Sequence, residues 1–208
     1  MIARTRSILF ASLLVLVPAA LASPATAQDG ARAYLEGRHE EVNGILRQAA
    51  PNDAARARRT ERLRTLLNGL LDYQELSRRA LGAHWEAQPE AERQRFVDLL
   101  RQLVERNYEG NLERIVDFEV TYERESRRGD LTVVHTSARS RSQRRAPPVA
   151  IDYAMHQRDG VWKVVDVSTD GVSMVDNYRS QFNRIITRDG WGELVTRMQR
   201  RLEDGSEG

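Results

Sequence analysis

The sequence predicts an α+β fold in which helices surround one antiparallel sheet. Apolar residues recur at the helical spacing of about 3.6 from Ala33 to about Leu71. Between Phe118 and Val167 the period changes to two, which indicates strands. Residues 173–202 return to the helical period. Consecutive strands joined by short turns favour an antiparallel meander, because parallel strands need long crossover connections.

The first half contains helix boundaries that local chemistry marks. Pro51-Asn52-Asp53 interrupts the first apolar run and can cap a second helix. A short third helix stops at Gly82, since glycine readily ends helices. The longest helix is predicted over Pro89–Tyr108, with proline suited to the first position. Its wide apolar stripe predicts one buried face.

Four strands are predicted in the middle of the chain. Phe118, Val120 and Tyr122 alternate with polar residues, which is typical of a half-exposed strand. Arg128-Gly129-Asp130 marks one turn, and Asp159-Gly160 is a strong hairpin signal. The remaining strands are predicted over Leu131–His135, Val149–His156 and Val161–Val167.

The segment Trp162–Trp191 joins a strand, a glycine turn and a capped helix. Ser173 and Asp176 have the spacing of a capping box, and Gly190 is a natural stop. Nothing in the segment resembles a nucleophile, a metal cage or a phosphate loop. We therefore interpret its helix as a lid that closes an apolar pocket.

The N-terminus predicts a signal peptide over residues 1–27, followed by a single domain over residues 28–208. Two arginines precede an apolar run of about ten residues, which is too short to span a bilayer. Ala25-Thr26-Ala27 then supplies a cleavage pattern. The alternative is an uncleaved membrane anchor, which the early Pro18 and Pro24 disfavour. We expect export to the periplasm.

Composition excludes several classes of function. The chain has 32 Lys and Arg against 30 Asp and Glu. Arg4 and Arg6 leave with the predicted signal, so the remaining chain is balanced and nucleic-acid binding loses its support. The absence of cysteine excludes disulfides, and the four histidines lack metal-ligand spacing, so we expect no cofactor and no metal site.

An enzymatic reading requires a strand carboxylate beside a tyrosine in an apolar cavity. Asp117, Asp152, Asp166 and Tyr153 are the available groups. The structural alternative is favoured for Asp152, which is out of phase with the apolar face of its strand. For Asp166 we favour a role in accepting backbone N–H bonds at the following turn.

Four arginines, Arg139, Arg141, Arg144 and Arg145, cluster around one loop. They are either a docking surface for anionic headgroups or an acidic partner, or a solvated hairpin tip.

The segment DVSTDGVSMVDNYRSQF, residues 166–182, resembles the signature of the MlaC family, the toluene-tolerance auxiliary component. A weaker match lies upstream, in Leu70-Leu71-Asp72-Tyr73, Leu81-Gly82 and Trp85. Tyr73 stands where the family more usually has phenylalanine. The resemblance extends over nearly the whole chain after the predicted signal.

This resemblance implies an NTF2-like cone with an apolar lipid pocket and no catalytic activity. It implies a periplasmic carrier of phospholipid serving an ABC transport system that maintains outer-membrane lipid asymmetry. The implied partners are an outer-membrane lipoprotein complex and an inner-membrane ABC transporter with an MCE-domain subunit. We expect a monomer.

The residues predicted to bind lipid lie on the apolar faces of strands and helices, where ordinary core packing is the alternative for each. They are Leu99, Leu103, Phe118, Val120, Val133, Ile151, Tyr153, Met155, Val164, Met174, Tyr178, Phe182 and Ile186. Two other readings remain open at this point. One is an NTF2-like enzyme acting on a small hydrophobic substrate through a buried Asp/Tyr pair, and the other is an envelope protein with a solid core.

Overall fold

The computed structural model describes residues 30–109 and 117–204, so the predicted signal peptide of residues 1–27 lies outside the described residues. The described part contains six α-helices and one short 3₁₀ turn at Gly82–His84. The helices are α1 (Ala31–Leu46), α2 (Asp53–Leu70), α3 (Tyr73–Leu81), α4 (Glu90–Glu109), α5 (Met174–Asp189) and α6 (Trp191–Asp204).

Five strands form one sheet in chain order, each antiparallel to the next. They are β1 (Phe118–Arg128), β2 (Leu131–Ser140), β3 (Val149–Arg158), β4 (Val161–Thr169) and β5 (Val172–Ser173). The predicted α+β class and the antiparallel meander are confirmed. The prediction of about four strands missed β5, since two residues are too short to show a periodic pattern.

Turns and caps follow the local chemistry of the sequence. Asp159 and Gly160 have φ values of 51° and 77°, which is the left-handed backbone of a tight hairpin turn. The Asn52 side chain accepts a hydrogen bond from the backbone N–H of Ala55 at 2.9 Å and begins α2. At α5, Ser173 Oγ accepts from the N–H of Asp176 at 3.0 Å, as the capping-box pattern predicts.

The helices form two groups. Helices α1 and α2 cover one face of the sheet, where Leu35 and Leu70 pack with Val134, Met155 and Val164. Helices α3, α4, α5 and α6 bury their apolar stripes mainly against one another, around a fully buried Phe96. The α1–α2 hairpin therefore packs on one face of the sheet, and the other four helices form a separate helical cluster.

The chain passes from the hairpin to the cluster along the edge of β4. The N–H of Asp72 donates to the carbonyl of Val164 at 3.0 Å. The Asp72 carboxylate is buried, caps α3 through the N–H of Glu75, and accepts from His156 at 3.0 Å and Arg158 at 2.9 Å. This single side chain therefore joins the start of α3 to β3.

A second buried carboxylate joins α5 to β4. Asp166 is 7% exposed, and its two oxygens accept from Ser173 Oγ at 2.6 Å and from the N–H of Val175 at 3.1 Å. Asp166 accepts a backbone N–H as predicted, but the location in the turn between Thr169 and Val172 was wrong, because the N–H belongs to the first turn of α5. A carboxylate here also suits the positive end of the helix dipole.

Replacement of Asp166 by alanine should destabilise the protein by about 1–3 kcal/mol, because a buried N–H loses its acceptor. Urea unfolding of the two proteins measures the difference. Glu203→Ala is the control, since Glu203 is exposed on the last turn of α6 and should change stability by less than about 0.5 kcal/mol. Equal unfolding midpoints for Asp166→Ala and the wild type would contradict this role.

Candidate functional site

An apolar cavity of about 310 Å³ lies between the α1–α2 hairpin and strands β1, β2 and β3. Ten of its twelve lining residues are aliphatic or aromatic, so the cavity can accept a hydrocarbon group. The lining consists of Leu35, Arg38, His39, Val42, Leu67, Leu70, Phe118, Val120, Ala138, Val149, Ile151 and Tyr153.

Side-chain periodicity explains how the lining forms. Strand residues two apart point to the same face, so Val149, Ile151 and Tyr153 of β3 all face the cavity. Leu35 and Val42 lie two turns apart on one face of α1. Between these walls β2 contributes only the small side chain of Ala138, which leaves space that a larger residue would fill.

The cavity has one permanently charged lining side chain, that of Arg38. Burial raises the pKa of Tyr153 to about 12, so its phenol stays neutral at ordinary pH. None of the twelve lining residues is Asp or Glu. Their only ionisable nitrogen groups are those of Arg38 and His39, neighbours on α1.

A polar pocket of about 270 Å³ adjoins the apolar cavity. Both are lined by His39, Phe118 and Val120, which therefore mark the junction between them. The other residues of the polar pocket are Glu36, Glu40, Asn43, Glu119, Tyr122 and Arg141. The two pockets together form a site with one apolar and one polar compartment.

The junction is held by a hydrogen bond between α1 and β1. His39 Nδ1 and the Tyr122 hydroxyl are 2.7 Å apart, and the two rings meet edge to face. Burial lowers the pKa of His39, which favours the neutral imidazole. Burial also raises the pKa of Tyr122, so the phenol keeps its proton and can donate it to Nδ1.

The predicted lipid-binding residues separate into three groups in the structure. Phe118, Val120, Ile151 and Tyr153 line the apolar cavity. Met155 and Val164 are buried on the same face of the sheet but outside the lining, whereas Val133 belongs to a cluster on the opposite face. The rest lie in the helical cluster: Leu99, Leu103, Met174, Tyr178, Phe182 and Ile186.

Helix α5 therefore differs from its interpretation as a lid over this cavity. Phe182 is 7% exposed and packs edge to face on Phe96, with ring centres 5.5 Å apart, and is stacked on Tyr178 at 5.4 Å. The cavity is covered by α1 and α2 instead. The apolar stripe of α5 indicated a buried face correctly, but a stripe does not identify the element that packs against it.

Sequence reasoning missed the α1 and α2 side of the site. Leu35, Val42, Leu67 and Leu70 were recognised only as periodic apolar residues of helices. The signal that could have found them is Arg38-His39, which places two polar residues close to that apolar stripe. Val149 shares the apolar alternation of Ile151 and Tyr153 but was not predicted to line the site, whereas Ala138 lies beside the basic loop and has no distinctive pattern.

The acids of the enzymatic reading lie outside the apolar cavity. Asp117 binds the hydroxyls of Ser140 and Ser142 at 2.6 and 2.7 Å, and these hydrogen bonds lower its pKa. Asp166 binds the Ser173 hydroxyl and the Val175 N–H at the start of α5. Asp152 faces away from the cavity as predicted, but its partner is His135, at 2.8 Å, rather than an arginine.

Ser126, His135 and Asp152 form a chain of hydrogen bonds across β1, β2 and β3. Ser126 Oγ is 2.8 Å from His135 Nε2, and His135 Nδ1 is 2.8 Å from Asp152. The order resembles the relay of serine hydrolases. Neither of the two pockets is lined by these residues, so we assign the chain to cross-strand stabilisation.

Residues 30–109 and 117–204 contain no group of three or more His, Cys, Asp or Glu side chains placed to hold a metal ion. Over the same ranges, no helix combines the length and apolarity that crossing a bilayer requires.

Comparison with known proteins assigns the chain to a family. The profile described as MlaC protein matches residues 37–200, which include all six helices at least in part and the whole sheet. The chain belongs to the MlaC family. The resemblance of residues 166–182 is thereby confirmed.

Two relatives support this assignment. The intermembrane phospholipid transport system binding protein MlaC of Haemophilus influenzae is 25% identical over 143 residues, which span 66% of this chain and 67% of that protein. The phospholipid-binding protein of Ralstonia solanacearum, solved in complex with a phospholipid, is 22% identical, with a TM-score of 0.69. That alignment covers 85% of this chain and 99% of the other, and it shows a shared fold.

The lowered pKa of His39 predicts that the protein loses stability in mild acid. Its pKa in the folded protein lies below the ordinary 6.5, so the unfolded chain binds the proton first as the pH falls. This contribution to stability is complete above pH 6.5 and declines as the pH drops toward the folded pKa. Between about pH 7.5 and about pH 5, the wild type should lose more unfolding free energy than His39→Gln.

Urea unfolding at both pH values measures this difference. His84→Gln is the matched control, because His84 is only partly buried and lines neither pocket. An identical loss in the wild type and His39→Gln would contradict the assignment.

Proposed function

We propose that this protein is a periplasmic carrier that holds phospholipid acyl chains in the apolar cavity and has no catalytic role. The observation that carries the proposal is a cavity with a mainly hydrocarbon lining in a member of the MlaC family. The phospholipid bound to the structurally similar Ralstonia protein supports the same ligand class.

The energetics of lipid transfer require such a cavity. Each methylene group moved out of water gains about 0.8 kcal/mol, so ten of them represent about 8 kcal/mol. A carrier has to offer the tail an apolar lining throughout its passage between membranes. Tyr153 and Ile151 supply that lining from the sheet, and Leu35 and Val42 supply it from α1.

A phospholipid with two long acyl chains needs a large pocket, and the cavity of about 310 Å³ is at the small end of the range for ligand sites. We propose that α1 and α2 move away from the sheet together, because Val42, Ile45, Leu46 and Leu63 give them a small core of their own.

The carrier would exchange lipid with an outer-membrane lipoprotein complex and with an inner-membrane ABC transporter containing an MCE-domain subunit, and so maintain outer-membrane lipid asymmetry. The name of the Haemophilus relative supports an intermembrane transport system. Arg144 and Arg145 are exposed on the loop between β2 and β3, close in sequence to the polar pocket residue Arg141. This basic loop is the docking surface that we propose for an acidic partner.

The proposal predicts that the purified protein carries lipid and that filling the cavity expels it. Val120→Trp adds a large side chain to the lining, so it should lower the lipid occupancy several-fold. Native mass spectrometry after gentle purification measures the bound fraction directly.

Thr121→Trp is the matched control, because Thr121 is exposed and alternation along β1 turns it to the opposite face. It should retain wild-type occupancy. A folded wild-type protein that never contains lipid would contradict the proposed function.

Phe182→Leu should lower the stability of the protein without changing its lipid binding. Loss of the aromatic contacts with Phe96 and Tyr178 should lower the unfolding temperature by several degrees, since a buried ring is replaced by a smaller side chain. The amount of lipid per folded molecule should not change, because Phe182 is outside the cavity lining. Thermal unfolding and lipid extraction from the folded fraction measure the two effects, and a selective loss of lipid would return α5 to the role of a lid.

A further inference from the structure

We infer that the polar pocket is a headgroup subsite that favours a zwitterionic phospholipid whose headgroup ends in an ammonium group. This inference rests on the proposed function, since the acyl chains must occupy the adjoining apolar cavity. The shared lining residues His39, Phe118 and Val120 make the two compartments continuous. A lipid with its tails in the apolar cavity therefore has its phosphate near the junction and its headgroup in the polar pocket.

The junction offers hydrogen-bond donors suited to the phosphate and ester oxygens. Tyr122 has a hydroxyl whose described hydrogen bond is to His39 Nδ1. When the hydroxyl donates to Nδ1, the neutral imidazole carries its own proton on Nε2 and can donate it to a ligand. Arg38 adds a charged donor group, because its partly exposed guanidinium lines the adjoining apolar cavity.

The Arg38 guanidinium is held in place by two contacts. One of its terminal nitrogens pairs with Glu41 at 2.9 Å, and the group lies over the ring of Tyr34 at 5.3 Å. Arg38 lines the apolar cavity next to the junction, where the ester groups of a lipid would lie.

The polar pocket presents carboxylates where the headgroup would end. Glu36 and Glu40 are one helical turn apart on α1, and both line the pocket. Glu36 pairs with Arg32 at 2.8 Å, whereas Glu40 forms no hydrogen bond or ion pair with the described residues. Glu40 is thus the stronger candidate for binding an ammonium group.

The sign of the charge decides which headgroups fit. Glu119 belongs to the lining, but alternation along β1 turns its side chain to the other face, so its carboxylate does not contribute to the charge of the pocket. The Arg32–Glu36 pair is neutral, so the remaining charges of the lining are those of Glu40 and Arg141. The terminal ammonium of a zwitterionic headgroup would be attracted to Glu40, whereas the glycerol of phosphatidylglycerol offers this carboxylate no positive charge.

A competition between two phospholipids with identical acyl chains tests this subsite. The protein is incubated with vesicles of equal parts phosphatidylethanolamine and phosphatidylglycerol, and native mass spectrometry gives the ratio of the two bound lipids. The wild type should bind phosphatidylethanolamine in excess. Glu40→Gln should reduce that excess about two- to five-fold, the effect of losing one partly exposed ion pair. High salt should reduce it as well.

Glu61→Gln is the matched control, since Glu61 is an exposed acid on α2 outside both pockets. It should keep the wild-type ratio. Equal binding of the two lipids by the wild type, or an unchanged ratio in both Glu40→Gln and Glu36→Gln/Glu40→Gln, would overturn the subsite and leave the proposed function intact. Absence of both lipids from the wild type would contradict the proposed function itself.

Discussion

The buried carboxylate of Asp72 is the interaction on which the division of this fold depends. The carboxylate caps α3 and accepts hydrogen bonds from His156 and Arg158 of β3. The backbone N–H of the same residue donates to the carbonyl of Val164. Asp72 is buried whereas Arg158 is half exposed, so removing these partners would leave a buried carboxylate without compensation, which is unfavourable. The helical cluster is therefore fixed to the sheet at the point where the chain leaves the α1–α2 hairpin.

The hairpin is attached by a different kind of contact, and this contrast suits a carrier. Leu35 and Leu70 hold it to the sheet through apolar packing, which is non-directional and can be exchanged for contact with a lipid tail. The proposed lifting of the hairpin would also break polar bonds. On α1 these are the bonds of His39 with Tyr122 and of the Arg32 N–H with Glu125. On α2 they are the bonds of Asn68 with Glu105 and Tyr73 and that of the Gly69 carbonyl with Lys163. The bonds of Asp72 and Asp166 lie outside the hairpin and would stay intact.

The sequence predicted features that depend on neighbouring residues and missed those that depend on which faces meet. Ser173, Gly82 and Asp159-Gly160 were identified because capping and left-handed turns are local chemistry. Val120 was correctly placed on an apolar strand face, yet nothing in its pattern distinguishes a cavity wall from a packed core. Phe182 lies on an apolar helix face of the kind that a lid would also have. Only tertiary contacts show that its partner is Phe96.

One irregularity of β1 has consequences for how this chain can vary. The strand shifts register between Tyr122 and Arg124, so Glu123 is an extra residue relative to β2. Tyr122 and Glu125 consequently reach the same face despite their odd spacing, and each holds α1 through one hydrogen bond. Other residues can replace Glu123, but the position itself cannot be deleted without changing the register. Deleting it would reverse the alternation and detach one end of α1, so related sequences should conserve length here more strictly than composition.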